Sequence, residues 1–330
     1  MTLARIPFRR LLVAHPRVVL VAFLAIGQSA TGGELVQPLS VQCGSSVGAC
    51  ESAHDLCPTA VGNPRRASNQ SFEVHSSDVR HPADQVVMVA EQLRSSLQQR
   101  WLGQLGPAWQ PRCQIVIHAD EWDYLRQVGW QAAPSQGTFR VGRSRGQITL
   151  RRIDLFADPH SGQLTALAHE LTHAVLADRF RFSGPPRWLD EGIALQADCA
   201  DKQSRHLRDL RRSLERGGCL RLREALSCTR YPPERDLAAF YGQSLSLVGY
   251  LSALDAPSKL LDLAVVAGQC GYDQALQRTY GITSTEELEL RWQQYAAGTK
   301  HRPRDVGPVE LVHLAPSRIG NQPPHPFLMR

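Results

Sequence analysis

Leu164-Thr165-Ala166-Leu167-Ala168-His169-Glu170-Leu171-Thr172-His173-Ala174-Val175-Leu176 is the segment around which the rest of this 330-residue chain is organised. Leu164, Leu167, Ala168, Leu171 and Val175 recur at helical spacing and form one apolar stripe. His169 and His173 are four positions apart, so in a helix they stand about 40° apart and one turn above each other. One face is therefore fit for a core, and another carries two imidazoles that can share a metal ion. Glu170 lies beside the pair, where a carboxylate can reach a water held at such an ion without ligating the ion itself. Zinc lowers the pKa of such a water to about 7, and a neighbouring glutamate can take its proton.

A second element follows. After the Gly184-Pro185 turn comes Pro186-Arg187-Trp188-Leu189-Asp190-Glu191-Gly192-Ile193-Ala194, with Glu191 eighteen positions beyond His173. A tetrahedral catalytic zinc takes three protein ligands and one open position, and His169, His173 and Glu191 meet that count. Together the two segments resemble the gluzincin metallopeptidases, in which HExxH is followed by a helix carrying WxxEGxA. The closest likeness is to the peptidase MA-like group, allied to the aminopeptidase N and thermolysin families. The resemblance implies a zincin-like fold, one Zn2+, and Glu170 as the catalytic base. The separation to Glu191 is about one residue shorter than in the aminopeptidase pattern, so a different connecting loop is expected.

Phe240-Tyr241-Gly242-Gln243-Ser244-Leu245 looks like the aminopeptidase helix bearing a tyrosine that steadies the tetrahedral oxyanion, which places Tyr241 in that role. Tyr231 and His206 are weaker candidates for it. A ligating histidine usually hands its other ring nitrogen to a carboxylate or carbonyl. Asp198, expected two turns beyond Glu191 on one helix face, is the first choice, with Asp178 and Asp190 as alternatives. His118, His160, His301, His313 and His325 lack metal spacing and are expected in solvent. The GxMEN-type segment of aminopeptidases, whose glutamate anchors a free amine, has no counterpart: residues 137–160 contain no glutamate. The resemblance thus extends to a gluzincin hydrolase and not to aminopeptidase specificity.

Around these motifs the pattern predicts an α+β fold, with a small mixed N-terminal β-sheet followed by a mainly helical subdomain. Ser71–His75, Gln114–His118, Thr138–Val141 and Gln147–Ile153 read as strands, and Ala83–Leu102 as an amphipathic helix. Gln147–Ile153 is taken as the edge strand along which a substrate backbone would lie. Helices are expected over 161–178, 188–199, 202–216, 236–254, 257–268, 271–280 and 284–297, with Asp201, Asp236 and Thr283 or Ser284 as N-caps. The peptidase domain then covers 71–298, with its sheet half at 71–160 and its helical half at 161–298. A low-order linker at 34–70 precedes it, and a proline-rich tail at 299–330 follows.

Residues 1–33 carry four arginines, no acid, and the apolar run Val18–Ile26 before small residues, as a secretory signal peptide does. The run is short of the ~20 residues a membrane span needs. Export is therefore expected, with an uncleaved N-terminal anchor as the alternative. Outside the cytoplasm eight cysteines favour disulfides, and Cys219 with Cys228 is the pair singled out. The formal charge of +6 divides unevenly: +4 lies in residues 1–33, +3 in 299–330 and −1 between them. A basic face for nucleic acid is thus not expected, and no stable membrane span remains once the signal is removed. The expected partner is a peptide or protein substrate. The rivals are a zinc-holding scaffold that no longer turns over, and a polyanion binder using the arginines at 140–152 and 205–223.

Overall fold

The computed structural model of the chain describes residues 65–132 and 135–298. The expected signal, most of the expected linker, the expected tail and Cys43, Cys50 and Cys57 lie outside them. Strands β1 (Arg66–Ser68), β2 (Phe72–Ser76), β3 (Cys113–His118), β4 (Gly137–Ser144) and β5 (Gln147–Phe156) form a sheet ordered β1-β2-β3-β5-β4. The β2–β3 and β3–β5 pairs are parallel and the outer two pairs antiparallel, so the sheet is mixed. Sheet structure thus starts at Arg66, before residue 71. The edge strand is β4, whereas β5, expected at the edge, is paired on both sides. The two strands form one hairpin, and only the return of the chain beside β3 decides which of them lies inside.

Alternation along β5 separates two chemistries. Ile153 and Leu155 join the main core beneath helices α1 (Ala83–Leu102) and α3 (Leu167–Arg179). Asp154 and Phe156 point the other way, towards α2 (Glu121–Val128), a helix whose N-cap Asp120 accepts from the Asp123 amide. There Asp154, with a fully buried side chain, accepts from Arg140 at 2.7 Å and Arg152 at 2.8 Å, and pairs with His118 at 3.1 Å. His118 is therefore a buried partner in an ion network and not a solvated histidine. His160 is exposed as expected.

The remaining helices are α4 (Arg187–Leu195), α5 (Ala200–Glu215), α6 (Leu222–Ser227), α7 (Glu234–Leu254), α8 (Lys259–Cys270), α9 (Tyr272–Tyr280) and α10 (Thr285–Gly298). An α+β architecture follows, a mixed sheet and then a largely helical region. Helix α3 begins six residues later than its apolar stripe predicts. Asp158 accepts from both the amide and the hydroxyl of Ser161, and Gly162 has a positive φ of 68°, which fixes a turn where the helix was expected. Asp201 and Asp236 fall in the first turns of α5 and α7 rather than at their caps, while Ser284 accepts from the Glu287 amide before α10.

Helix α7 is long and apolar enough to cross a membrane by composition, yet much of it is buried against α4 and α5. Its approach to α4 depends on Gly192: a Cβ there would sit 2.5 Å from the Ser244 carbonyl oxygen and 2.6 Å from Val248 Cγ2. Trp188, fully buried, anchors the start of α4 by donating to the Tyr272 hydroxyl at 2.8 Å. At the far end of α3, Asp178 accepts from Trp109 Nε1 at 2.6 Å and pairs with Arg151 of β5, tying helix to sheet. That leaves Asp178 no part in a metal site. Cys113, Cys199, Cys219, Cys228 and Cys270 are free thiols, so the expected Cys219–Cys228 disulfide is absent; the two flank α6 and each packs separately against the core.

Candidate metal centre

Helices α3 and α4 place one donor atom from each of His169, His173 and Glu191 within 4.8 Å of one another. His169 Nε2 lies 4.0 Å from Glu191 Oε2. The group can coordinate a metal ion. Behind each donor stands a polar side chain from a different segment. His173 Nδ1 is 2.8 Å from Asp190 Oδ1, and His169 Nδ1 is 3.3 Å from Asp198 Oδ1, which leaves Nε2 of each ring to face the cluster. Lys202 Nζ donates to the same oxygen, Asp198 Oδ1, at 3.0 Å. Tyr231 donates its hydroxyl to Glu191 Oε1, which leaves Oε2 turned towards His169.

Asp198 reaches His169 by a route the helical pattern did not show. Helix α4 stops at Leu195, and the next three amides bond three residues back, tightening the chain into a turn. Asp198 thus lies between α4 and α5 and not on the face of α4 that carries Glu191. Asp190 takes the same supporting role for His173. Tyr231, weighed for an oxyanion, has its hydroxyl engaged by Glu191. Its pairing depends on the return of the chain between α6 and α7, a contact over 40 residues that no local pattern marks.

The electrostatics follow from burial. Asp198 is held below the usual carboxylate range: burial opposes this, but His169 and Lys202 outweigh it. His173 is pushed up to about 10, because the carboxylates of Asp190, Glu191 and Glu170 outweigh the burial that disfavours its cation. This cluster favours positive charge. The pKa of Glu170 is raised as well, which favours its neutral form: burial drives the shift, opposed by His169 and His173 and reinforced by Glu191. Glu170 is 6% exposed and faces β4 at Gly137, where a Cβ would meet Glu170 Cγ at 2.9 Å. The edge strand passes this close only because it has no side chain at that position.

Tyr241, about two turns into α7, has its ring 5.6 Å from that of His206 and 6.3 Å from that of Tyr231, both tilted. Burial and the nearby charge of Glu191 raise its pKa, so the phenol stays protonated. His206 is pushed down by burial. Of the twelve arginines in the two segments expected to mark a polyanion surface, Arg140 and Arg152 pair with Asp154, Arg151 with Asp178, and Arg223 with Asp273 and Glu286. Comparison with models of known protein families and with curated proteins returned no match to this chain.

Proposed function

We propose that the chain is an exported zinc-dependent metallopeptidase of the gluzincin kind, acting on a peptide or protein substrate. The observation that carries this reading is the convergence of His169, His173 and Glu191, each braced from behind, with the buried carboxyl of Glu170 alongside. Two imidazole nitrogens and one carboxylate oxygen are the donor set of a catalytic zinc with an open position. Donors at about 2.0–2.2 Å from a tetrahedral ion stand roughly 3.4 Å apart. The 4.0 Å between His169 Nε2 and Glu191 Oε2 closes to that with a small side-chain rotation.

A bound zinc supplies Lewis-acid charge, which acidifies water and polarises a carbonyl oxygen. The chain's own groups supply the rest. Glu170, its pKa raised by burial, takes a proton from the attacking water and passes it to the departing amine nitrogen. Tyr241, protonated and beside the cluster, donates a hydrogen bond to the oxygen that gains charge. Strand β4, hydrogen-bonded only to β5, offers its free edge to an extended peptide running past Glu170. Internal neutralisation of Arg140, Arg151 and Arg152 supports a peptide rather than a nucleic acid as partner.

The test is Glu170→Gln. This variant is expected to bind zinc as the parent does and to lose peptide hydrolysis by at least ~10²-fold, the usual worth of a positioned acid–base group. Retained hydrolysis refutes the role of Glu170. Zinc bound by both proteins without cleavage of any peptide by the parent supports a scaffold that holds metal and does not turn over.

A further inference from the structure

Arg143 of β4 and Arg187 of α4 lie near the Asp190 carboxylate, on either side of the path, here called the cleft, that the proposed peptide would take between the free edge of β4 and the start of α4. Arg187, at the start of α4, has Nη1 3.6 Å from Asp190 Oδ2, beyond hydrogen-bond range, and its charge lies over the ring of Tyr231 at 5.0 Å. Arg143 projects from β4. It is on the same face of that strand as Gly137, since the two are six residues apart and the irregularity next to Arg143 is an unpaired residue in β5. Its side chain runs beneath the loop at Gly184, with Nη2 4.0 Å from where a Cβ on that glycine would stand.

Among the described residues no hydrogen bond or ion pair holds the Arg143 guanidinium, and its Nε is buried without a partner. Burial lowers its pKa, and the charge of Asp190 only partly offsets this. Asp190 has little to give, because one of its oxygens is engaged by His173. A buried donor left unpaired is destabilising. One cation at this end of the cleft is therefore without a matching anion, on the strand edge along which a peptide would lie.

We propose that Arg143, assisted by Arg187, forms a carboxylate-binding subsite of the cleft, so that favoured peptides carry an acidic side chain or a free C-terminal carboxylate a few residues from the scissile bond. The subsite rests on the peptidase reading for its substrate class and sets specificity without entering the chemistry. A planar, fixed fork suits a carboxylate held by two parallel hydrogen bonds. Strand geometry sets the distance. Gly137 stands opposite Glu170, and six residues of β4 advance about 20 Å to Arg143, whose guanidinium lies by Gly184 and within reach of the Asp190 charge.

The experiment measures peptide binding to the zinc-loaded Glu170→Gln chain, in which bound peptide is not consumed. Three matched peptides separate the two carboxylate sources: one with an internal Glu and an amidated end, its Gln twin, and the Gln peptide with a free C-terminus. One of the two carboxylate-bearing peptides is expected to bind on the order of tenfold tighter than the amidated Gln twin. Adding Arg143→Gln is expected to erase that ratio without lowering the thermal midpoint, since the arginine has no partner to lose. Equal binding of all three peptides, or a preference that survives both Arg143→Gln and Arg187→Gln, overturns the proposal. Cleavage of peptides by the parent without any such preference sinks the subsite and spares the peptidase reading. A charge preference that Arg143→Gln abolishes, in a parent that cleaves nothing, supports the subsite and sinks the peptidase reading.

Discussion

Gly137→Ala adds one methyl group at the point where the edge strand meets Glu170. That methyl carbon would stand 2.8 Å from Ala166 Cβ, 2.9 Å from Glu170 Cγ and 3.0 Å from Glu170 Oε1. Carbon atoms rest about 3.5–4.0 Å apart, so roughly 0.7–1 Å of movement is required. Ala166 has no rotamer to change and belongs to the turn that starts α3. Glu170 is buried, so either its carboxyl shifts or β4 retreats from the helix. Overpacking of this kind costs about 1–3 kcal/mol in stability. A misplacement of about 1 Å at a reacting group costs ~10² in rate, so the activity effect is the larger one. The assay pairs kcat/KM on a cleaved peptide with the zinc content and thermal midpoint of the same preparation. The expected result is a loss of about 10²-fold in kcat/KM, full zinc content, and a midpoint lowered by a few degrees. Parent-like kcat/KM would refute the argument that β4 is pressed against Glu170. Loss of zinc along with activity would equally refute it, by showing that the damage runs through the ligands.

The groups behind the ligands can be removed one at a time. Asp198→Ala and Tyr231→Phe are each expected to weaken zinc affinity by ~10–100-fold, measured by competition with a chromogenic chelator, since each leaves one ligand unbraced. Acid should destabilise the fold in part through Asp154. Burial works against its charge, but hydrogen bonds from Arg152, His118 and Arg140 more than compensate and hold its pKa below the ordinary range. A depressed carboxylate contributes stability that is complete above its unfolded pKa of about 3.9 and is lost as pH falls towards the lower folded value. Asp154→Asn should therefore flatten the loss of stability below about pH 4. It should also cost about 1–3 kcal/mol at neutral pH in urea unfolding, because the charge-assisted hydrogen bonds from Arg140 and Arg152 weaken while both guanidinium groups keep some access to water.

What could be read from the chain divides by the range of the interaction. His169, Glu170 and His173 are set by helical periodicity within one turn, so their shared face was legible from five letters. Glu191 was legible because a catalytic zinc wants a third protein ligand and the WxxEGxA-like run after the proline turn offers one, although the helix expected over 188–199 ends at Leu195. The residues that brace these ligands were less accessible. Asp190 meets His173 only through the crossing of α3 and α4, and Tyr231 meets Glu191 only after the chain has passed through α5 and α6. Asp198 was found for the wrong reason, since it supports His169 from a turn and not from a helix face. Short elements were missed where propensity has little length over which to accumulate: β1 has three residues, α6 six and α2 eight. For α2, Asp120 as a cap was a signal present in the sequence. The choice of edge strand between β4 and β5 was not legible, because alternation describes the two faces of a strand and says nothing about its neighbours.

The measurement that bears most directly on the metal centre is zinc bound per chain, by mass-spectrometric elemental analysis after dialysis against metal-free buffer, for the parent protein and His173→Ala. The arrangement of His169, His173 and Glu191 predicts about one zinc per parent chain and its loss from the variant, whose fold is otherwise retained. Zinc absent from the parent even after incubation with excess metal, or zinc bound equally by His173→Ala, would contradict the assignment of these three residues as the ligands.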